Sequence, residues 1–458
     1  MYDLTIIGYG PGGYEASLLA LRKGLKIAVV EESKLGGNCL NRACIPTKYY
    51  WNGAKFLEKL EIFNNYGILI EKKGIDFHMA FEKKNEAIKY LRKSLRQLLK
   101  SKKVNIFKGR GKIIDRNKVL VVDKDGDKKI IETKNILIAT GSKPISIGNL
   151  KLDNNYIIST DYLLEKMDSL PSSILIVGGG VAGCELGYIL KSYGVDVYIV
   201  ELKDRLLPSK DTSKDISKYL LRKFKKLGIK TYLNTTVEDY EIRDSKVLVK
   251  LSNGKNLEVD KILLSVGRAP NTSDIDEIGI IKDERGFIKV DEYMRTNYEN
   301  IYACGDVVNS PMLAYTSSLE GKVAVKNIIG ENVKINYGYI PYAIFSAYEI
   351  SYIGLNEETA NEKNIEIVSG LYSYSFNEKA VDEGETDGFI KLFFNKENKK
   401  FVGGYILGAS ASELIHLLEV ALKEGYTAED LHHLIYFHPS LSEIIPFASY
   451  DVAEGKLF

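Results

Sequence analysis

Cysteine, proline, histidine and net charge are all scarce in this sequence. Four cysteines in 458 residues cannot make the disulfide framework of a small secreted domain. Ten prolines, 39 glycines and 45% hydrophobic residues exclude a disordered or collagen-like chain. Sixty-three basic residues against 61 acidic leave a formal charge of +2, too little to make a nucleic acid the expected partner. The longest apolar stretch, Ser173 to Leu186, is interrupted by glycines and falls short of the ~20 residues of a membrane span, so no membrane insertion is expected. Met1-Tyr2-Asp3 leads into an apolar strand without a signal-peptide pattern, which predicts a cytoplasmic protein. The length predicts about three domains.

One device occurs twice. Asp3 to Gly8 reads as a buried strand. It is followed by Gly8-Tyr9-Gly10-Pro11-Gly12-Gly13, an amphipathic stretch to Gly24, and a second strand from Lys26 to Val30 that ends at Glu31. Ser173 to Val177, the turn Gly178 to Gly183, a stretch to Gly194 and Val195 to Val200 ending at Glu201 repeat it. Adding 170 carries Gly8, Gly10, Gly13 and Glu31 onto Gly178, Gly180, Gly183 and Glu201. Glycines at these positions allow a tight turn, a close backbone approach to a pyrophosphate and close helix–strand packing, and the acid can accept from a ribose. Two bound dinucleotides are therefore expected. A 2′-phosphate beside Glu201 would meet a like charge costing about 4 kcal/mol at about 4 Å, which favours NAD over NADP at the second site. Lys203 and Arg205 read as solvated surface charges.

Between the two units lies Gly36-Gly37-Asn38-Cys39-Leu40-Asn41-Arg42-Ala43-Cys44-Ile45-Pro46-Thr47-Lys48. A Cys39–Cys44 bridge would be a weak staple, because so short a loop contributes only roughly 2 kcal/mol of chain-entropy stabilisation. A redox dithiol suits the pair better, with a helix start and Arg42 favouring a thiolate. Two unrelated core thiols or half of a zinc site remain as alternatives. Cys184 and Cys304, in no paired spacing, read as buried small hydrophobes. His438, five residues before Glu443, reads as a general base oriented by a carboxylate or as a structural histidine. His78, His416, His432 and His433 read as structural. Ile88, Leu91, Leu95 and Leu98 fall on one stripe of a surface helix between Phe81 and Lys103.

The order of these motifs, with Ala139-Thr140-Gly141, Gly267-Arg268-Ala269-Pro270-Asn271, Ala303-Cys304-Gly305-Asp306 and His438-Pro439, resembles the flavin-dependent pyridine nucleotide–disulfide oxidoreductases, and within them the dihydrolipoamide dehydrogenases. The resemblance covers essentially the whole chain. It implies an α/β fold with two Rossmann-like domains, for FAD and NAD, and a C-terminal α+β dimerisation domain. The expected segments are 1–143 (FAD), 144–270 (NAD), 271–335 (return to the FAD domain) and 336–458 (dimerisation). It implies FAD at Gly8, Gly10, Gly13 and Glu31, with Thr140, Gly141, Gly267, Asp306 and Ala314 as further cofactor contacts. NAD is implied at Gly178, Gly180, Gly183 and Glu201. Cys39 becomes the interchange thiol and Cys44 the thiol against the flavin, Lys48 and Glu185 an ion pair at the flavin edge, and His438 with Glu443 the acid/base pair. That histidine would come from the second chain of a homodimer, and the electron donor would be a lipoyl-bearing carrier of a 2-oxoacid dehydrogenase or glycine-cleavage system. NADH-driven reduction of another disulfide is the alternative on the same fold. Arg42-Ala43, Tyr315 and Tyr436 depart from the family pattern, and Arg42 is expected to point to solvent over a packed stem.

Overall fold

In a computed structural model, which describes residues 1–71, 73–273 and 275–455, strand β1 (Tyr2–Ile7) lies at the centre of a parallel sheet between β2 (Ile27–Glu31) and Lys128–Ile138. Leu4, Thr5, Ile6 and Ile7 are all buried, as both faces of a covered parallel sheet require. Helix α1 (Pro11–Arg22) starts with proline at its first position, where the missing N–H costs nothing. Its buried face is Gly12, Gly13, Ala16, Ser17 and Ala20. Small residues there let helix Ala314–Ile328 come so near that a Cβ on Gly321 would lie 2.4 Å from the carbonyl oxygen of Gly12. Asn105–Lys108 extends the sheet beside β2, Ile301–Ala303 pairs with Lys128–Ile138, and an antiparallel meander completes it.

The second unit has five parallel strands in the spatial order Lys230–Tyr232, Asp196–Val200, Ser173–Val177, Lys261–Leu264, Ile157–Ser159. A two-stranded ladder of Ser142–Pro144 with Arg268–Pro270 marks where the chain leaves the first unit and returns to it. The third unit is a five-stranded antiparallel sheet with helices Ala411–Glu424 and Ile444–Ala453 in one core with it. Its strand Phe389–Asn395 shows the two-residue period: Ile390, Leu392 and Phe394 enter that helical core, and Phe389 and Phe393 enter a core shared with Tyr188 and Leu220 of the second unit. The architecture is the expected one of two doubly wound units and a C-terminal α+β unit. Among the described residues, no helix is long and apolar enough to cross a membrane.

The surface helix, Phe77–Ser101, differs from its sequence reading. Ile88 is buried as expected, but Leu91 is exposed, and the fully buried positions are Leu99 and Lys84. Lys84 goes inside because its Nζ donates to the Leu164 carbonyl at 2.6 Å and lies 4.1 Å from the centre of the Phe81 ring. Burial lowers its ammonium to about 8. An unfolded lysine therefore holds more protons than Lys84 between about pH 8 and its usual pKa, so stability gains with pH across that window. Denaturant unfolding of wild type and Lys84→Met should show wild type gaining on the variant by up to about 3 kcal/mol from pH 8 to 10.5. A difference independent of pH would show that Lys84 carries its charge at no cost.

Candidate active site

The two glycine turns agree bond for bond. Gly8 has φ 95° and Gly178 φ 105°. A Cβ on Gly8 would lie 2.3 Å from the Ala139 carbonyl oxygen, and one on Gly178 would lie 2.4 Å from that of Ser265. Cβ atoms on Gly13 and Gly183 would strike the carbonyl oxygens of Gly8 and Gly178 at 2.3 and 2.0 Å. Glu31 accepts from the N–H of Tyr9 and of Ser33, each at 2.8 Å. Glu201 accepts from the N–H of Gly179 at 2.7 Å and of Lys203 at 2.8 Å, the same positions moved by 170. Burial raises the Glu31 carboxyl, against the two N–H donors that hold it charged.

Gly10 and Gly180 behave differently. A Cβ on Gly180 would meet nothing within 4 Å, and one on Gly10 only the Cα of Gly37 at 3.7 Å. Each is the N-cap of its helix, and neither helix has a side-chain cap. Open space before uncapped N–H groups suits the pyrophosphate of a dinucleotide. The first turn lines a cleft of about 870 Å³, within the size range of cofactor sites. Val181 and Ala182 bring the second turn to the same cleft, whereas Gly178, Gly180, Gly183 and Glu201 do not line it.

Cys39 and Cys44 are joined by a disulfide on the wall of this cleft. Cys39 lies in the short helix α2 (Gly37–Arg42), and Cys44 opens the 20-residue helix α3 (Cys44–Phe63). Backbone contact sets α2 against the clamp, since a Cβ on Gly37 would lie 2.5 Å from the Gly10 Cα. The start of α3 favours a thiolate on Cys44. One turn along α3, Lys48 Nζ pairs with Glu185 Oε1 at 3.1 Å and lies 4.2 Å from the centre of the Phe345 ring. Glu185 also accepts from the Phe345 N–H at 2.9 Å, so all three units meet at this ion pair.

Thr140, Gly141, Gly267, Asp306 and Ala314 all line the cleft. Thr140 donates to the Asn271 carbonyl and Asn271 to the Thr140 carbonyl, at 2.8 and 3.0 Å, which locks the two crossings together. Sequence reasoning missed what holds Asp306: Ser142 Oγ donates to it at 2.5 Å and accepts from Arg268 Nε at 2.7 Å, while Arg268 also binds Asp161. It missed Glu320 too, a fully buried acid that accepts from the N–H of Gly305 and from Tyr337. Partners 15 to 164 residues apart leave no local pattern to read.

His438 is exposed and does not line the cleft that holds Cys39. Its Nδ1 lies 3.0 Å from Glu443 Oε1, and Glu443 Oε2 accepts from the Ser440 N–H at 2.8 Å. The hydrogen bond and charge of Glu443 raise the imidazole above its ordinary value.

Two arginines correct their sequence readings. Arg205 is not solvated: it is 14% exposed and bonds Glu358 of the third unit at 2.8 Å. Arg42 does not turn to solvent either, but lines the cleft with a buried Nε. Tyr315 and Tyr436 donate to the carbonyls of Pro341 and Leu431, and Cys184 and Cys304 are buried. Among the described residues, the one group of side chains with metal-ligand geometry is His432, His433 and Glu454, none of which lines the cleft.

Residues 2–321 match the family described as pyridine nucleotide-disulphide oxidoreductase, and residues 340–448 match the dimerisation domain of that name. A dihydrolipoyl dehydrogenase of Bacillus subtilis is 37% identical, covering 99% of this chain and 97% of its own. The mitochondrial dihydrolipoyl dehydrogenase of Bos taurus is 35% identical over 99% of this chain and 91% of its own. Among solved structures, LpdA from Mycobacterium tuberculosis superposes with a TM-score of 0.91 at 25% identity, covering 98% of this chain and 99% of that one. The HOCl-induced flavoprotein disulfide reductase RclA from Escherichia coli, solved as a Cu(II) complex, gives 0.89 at 25% identity over 98% and 99%. The chain belongs to the pyridine nucleotide-disulphide oxidoreductase family.

Proposed function

We propose that the protein is a dihydrolipoyl dehydrogenase, which oxidises the dihydrolipoyl arm of a carrier protein and reduces NAD. The observation that carries this is the Cys39–Cys44 disulfide on the wall of a cleft lined by the first clamp and reached by Val181 and Ala182 of the second. Full-length similarity to dihydrolipoyl dehydrogenases supports it. FAD belongs to the first clamp, with Glu31 on its ribose and Asp306 and Ala314 toward the flavin, and NAD to the second, with Glu201.

A lipoyl thiolate attacks Cys39 Sγ, the Cys39–Cys44 bond breaks, and Cys44 leaves as a thiolate at the N-terminus of α3. His438 takes the proton of the second lipoyl thiol. That sulfur attacks its neighbour, closing the lipoyl disulfide and expelling Cys39, which recovers a proton from His438. The carrier has then lost two electrons and the protein dithiol has gained them. FAD, held by the first clamp, would supply a two-electron relay from the Cys39–Cys44 dithiol to NAD at the second clamp. Lys48 and Glu185 hold a compensated charge pair beside that path. His438 comes from a second copy, because within one chain it lies outside the cleft of Cys39. The match to a dimerisation domain supports a homodimer in which each active site uses two chains.

Cys44→Ser should lose dihydrolipoamide oxidation while keeping its flavin, measured as NADH formation and flavin content. An active variant overturns the mechanism. His438→Gln should cut the rate by roughly 100-fold or more. Because Glu443 raises the imidazole, the basic form that accepts the thiol proton accumulates only as pH rises through that elevated value. Glu443→Gln should therefore move the acid limb of the pH–rate profile to lower pH while the maximal rate falls. An unshifted limb would detach Glu443 from the base. Glu201→Gln keeps an oxygen for the Gly179 N–H but loses the charge, so it should narrow the NAD-over-NADP preference in kcat/KM by about tenfold or more.

A further inference from the structure

Arg42 closes α2, two residues before Cys44, where the family pattern has an apolar residue. Its guanidinium has neighbours but no full set of bonds. Nη2 is 3.5 Å from Ser33 Oγ, and Nε is 3.9 Å from Glu165 Oε2, against about 2.7–2.9 Å for a charge-assisted bond. Glu165 already has a close partner, Lys34 Nζ at 2.7 Å. Arg42 Nε is itself buried and has no hydrogen-bond partner, and such groups in a native fold call for an explanation. Its charge also reaches Glu31, lowering that carboxyl against burial. Arg42, Glu31, Ser33, Gly10 and Asn38 line the same cleft, so this cation stands on the wall of the first clamp.

We propose that Arg42 binds the diphosphate of the dinucleotide held in the first clamp. The uncapped start of α1 offers neutral N–H donors to that group, and Glu31, on the wall of the same cleft, repels it. The Arg42 guanidinium adds positive charge on that wall and matches phosphate oxygens with its planar fork. Glu165 Oε2 stands 3.9 Å from Arg42 Nε, beyond charge-assisted hydrogen-bond distance, and has Lys34 as its close partner. Arg42 in this role is a cofactor-binding residue, distinct from any tuning of the thiols it separates in sequence. The inference rests on the reading of the first clamp as the FAD site.

The test is FAD rebinding to flavin-stripped protein, followed by flavin fluorescence, with ADP as a competitor that carries the diphosphate without the flavin. Arg42→Leu should weaken FAD and ADP by about tenfold or more and flatten the salt dependence of both. Arg42→Lys should restore a good part of the loss, as a charge would and a packing role would not. Glu165→Gln should leave both affinities unchanged or tighter. Equal FAD and ADP affinities in wild type and Arg42→Leu would overturn the proposal. So would a loss in Glu165→Gln equal to that in Arg42→Leu, which would make the pair a strut between units. If wild type itself binds neither ligand, the FAD reading of the clamp fails first, and that outcome is separate from a selective failure of Arg42.

Discussion

A peptide backbone can approach a pyrophosphate closely only where no side chain stands between them, and the rest of this molecule is arranged around that constraint. At Gly8 and Gly178 the turn presses against the carbonyl of a neighbouring strand, and at Gly13 and Gly183 the helix presses against the turn. A Cβ at any of the four collides with backbone, which cannot step aside as a flexible side chain can. Gly10 and Gly180 are free of such contacts because their task faces outward. Each turn is tied to its acid by the N–H next to the first glycine. One carboxylate thus ties each turn to the end of the strand that follows it.

The position of the thiols follows from the first clamp. Gly37 touches Gly10, so the helix that carries Cys39 begins on the phosphate-binding turn, and Cys44 follows at the start of α3. Lys48 lies one turn further on and meets Glu185, which is on the second unit's clamp helix, Val181–Ser192. The third unit contributes the Phe345 N–H to Glu185 and the Ser346 hydroxyl to the Cys184 carbonyl. The disulfide therefore sits near the place where the three units meet, joined by these hydrogen bonds and by a shared apolar core. Redox exchange depends on geometry at the sulfur atoms, and here that geometry is inherited from two glycines.

Features with a local cause were legible in the sequence. The glycine spacing, the acid at each second strand and the paired cysteines all follow from the few residues around them, and the family resemblance supplied roles for Lys48, Glu185 and His438. The long cations were not legible. Lys84, Arg205 and Arg42 have flexible stems, and what decides their fate is an acceptor 80 residues away for Lys84, 153 for Arg205 and an acid on another unit for Arg42. Sequence patterning counts such residues as solvent-facing because most are. On Phe77–Ser101 the expected stripe holds at Ile88 and is exposed at Leu91, and Lys84, one turn before Ile88, is buried on the same stripe because its ammonium found a carbonyl.

Two cations follow Glu201 closely in sequence, and the fold commits the side chain of one of them, Arg205, elsewhere. Lys203 donates its backbone N–H to the Glu201 carboxylate, and Arg205 is held by Glu358 and the Ser209 carbonyl. Recruiting Arg205 to a phosphate would mean breaking a largely buried ion pair and stranding Glu358 beside Lys214 alone. The third unit, which supplies Glu358, thereby fixes a cation four residues beyond Glu201. The partner of a cation decides what it is available for, and a sequence in which Arg205 follows Glu201 gives the opposite impression until the partner of that arginine is known.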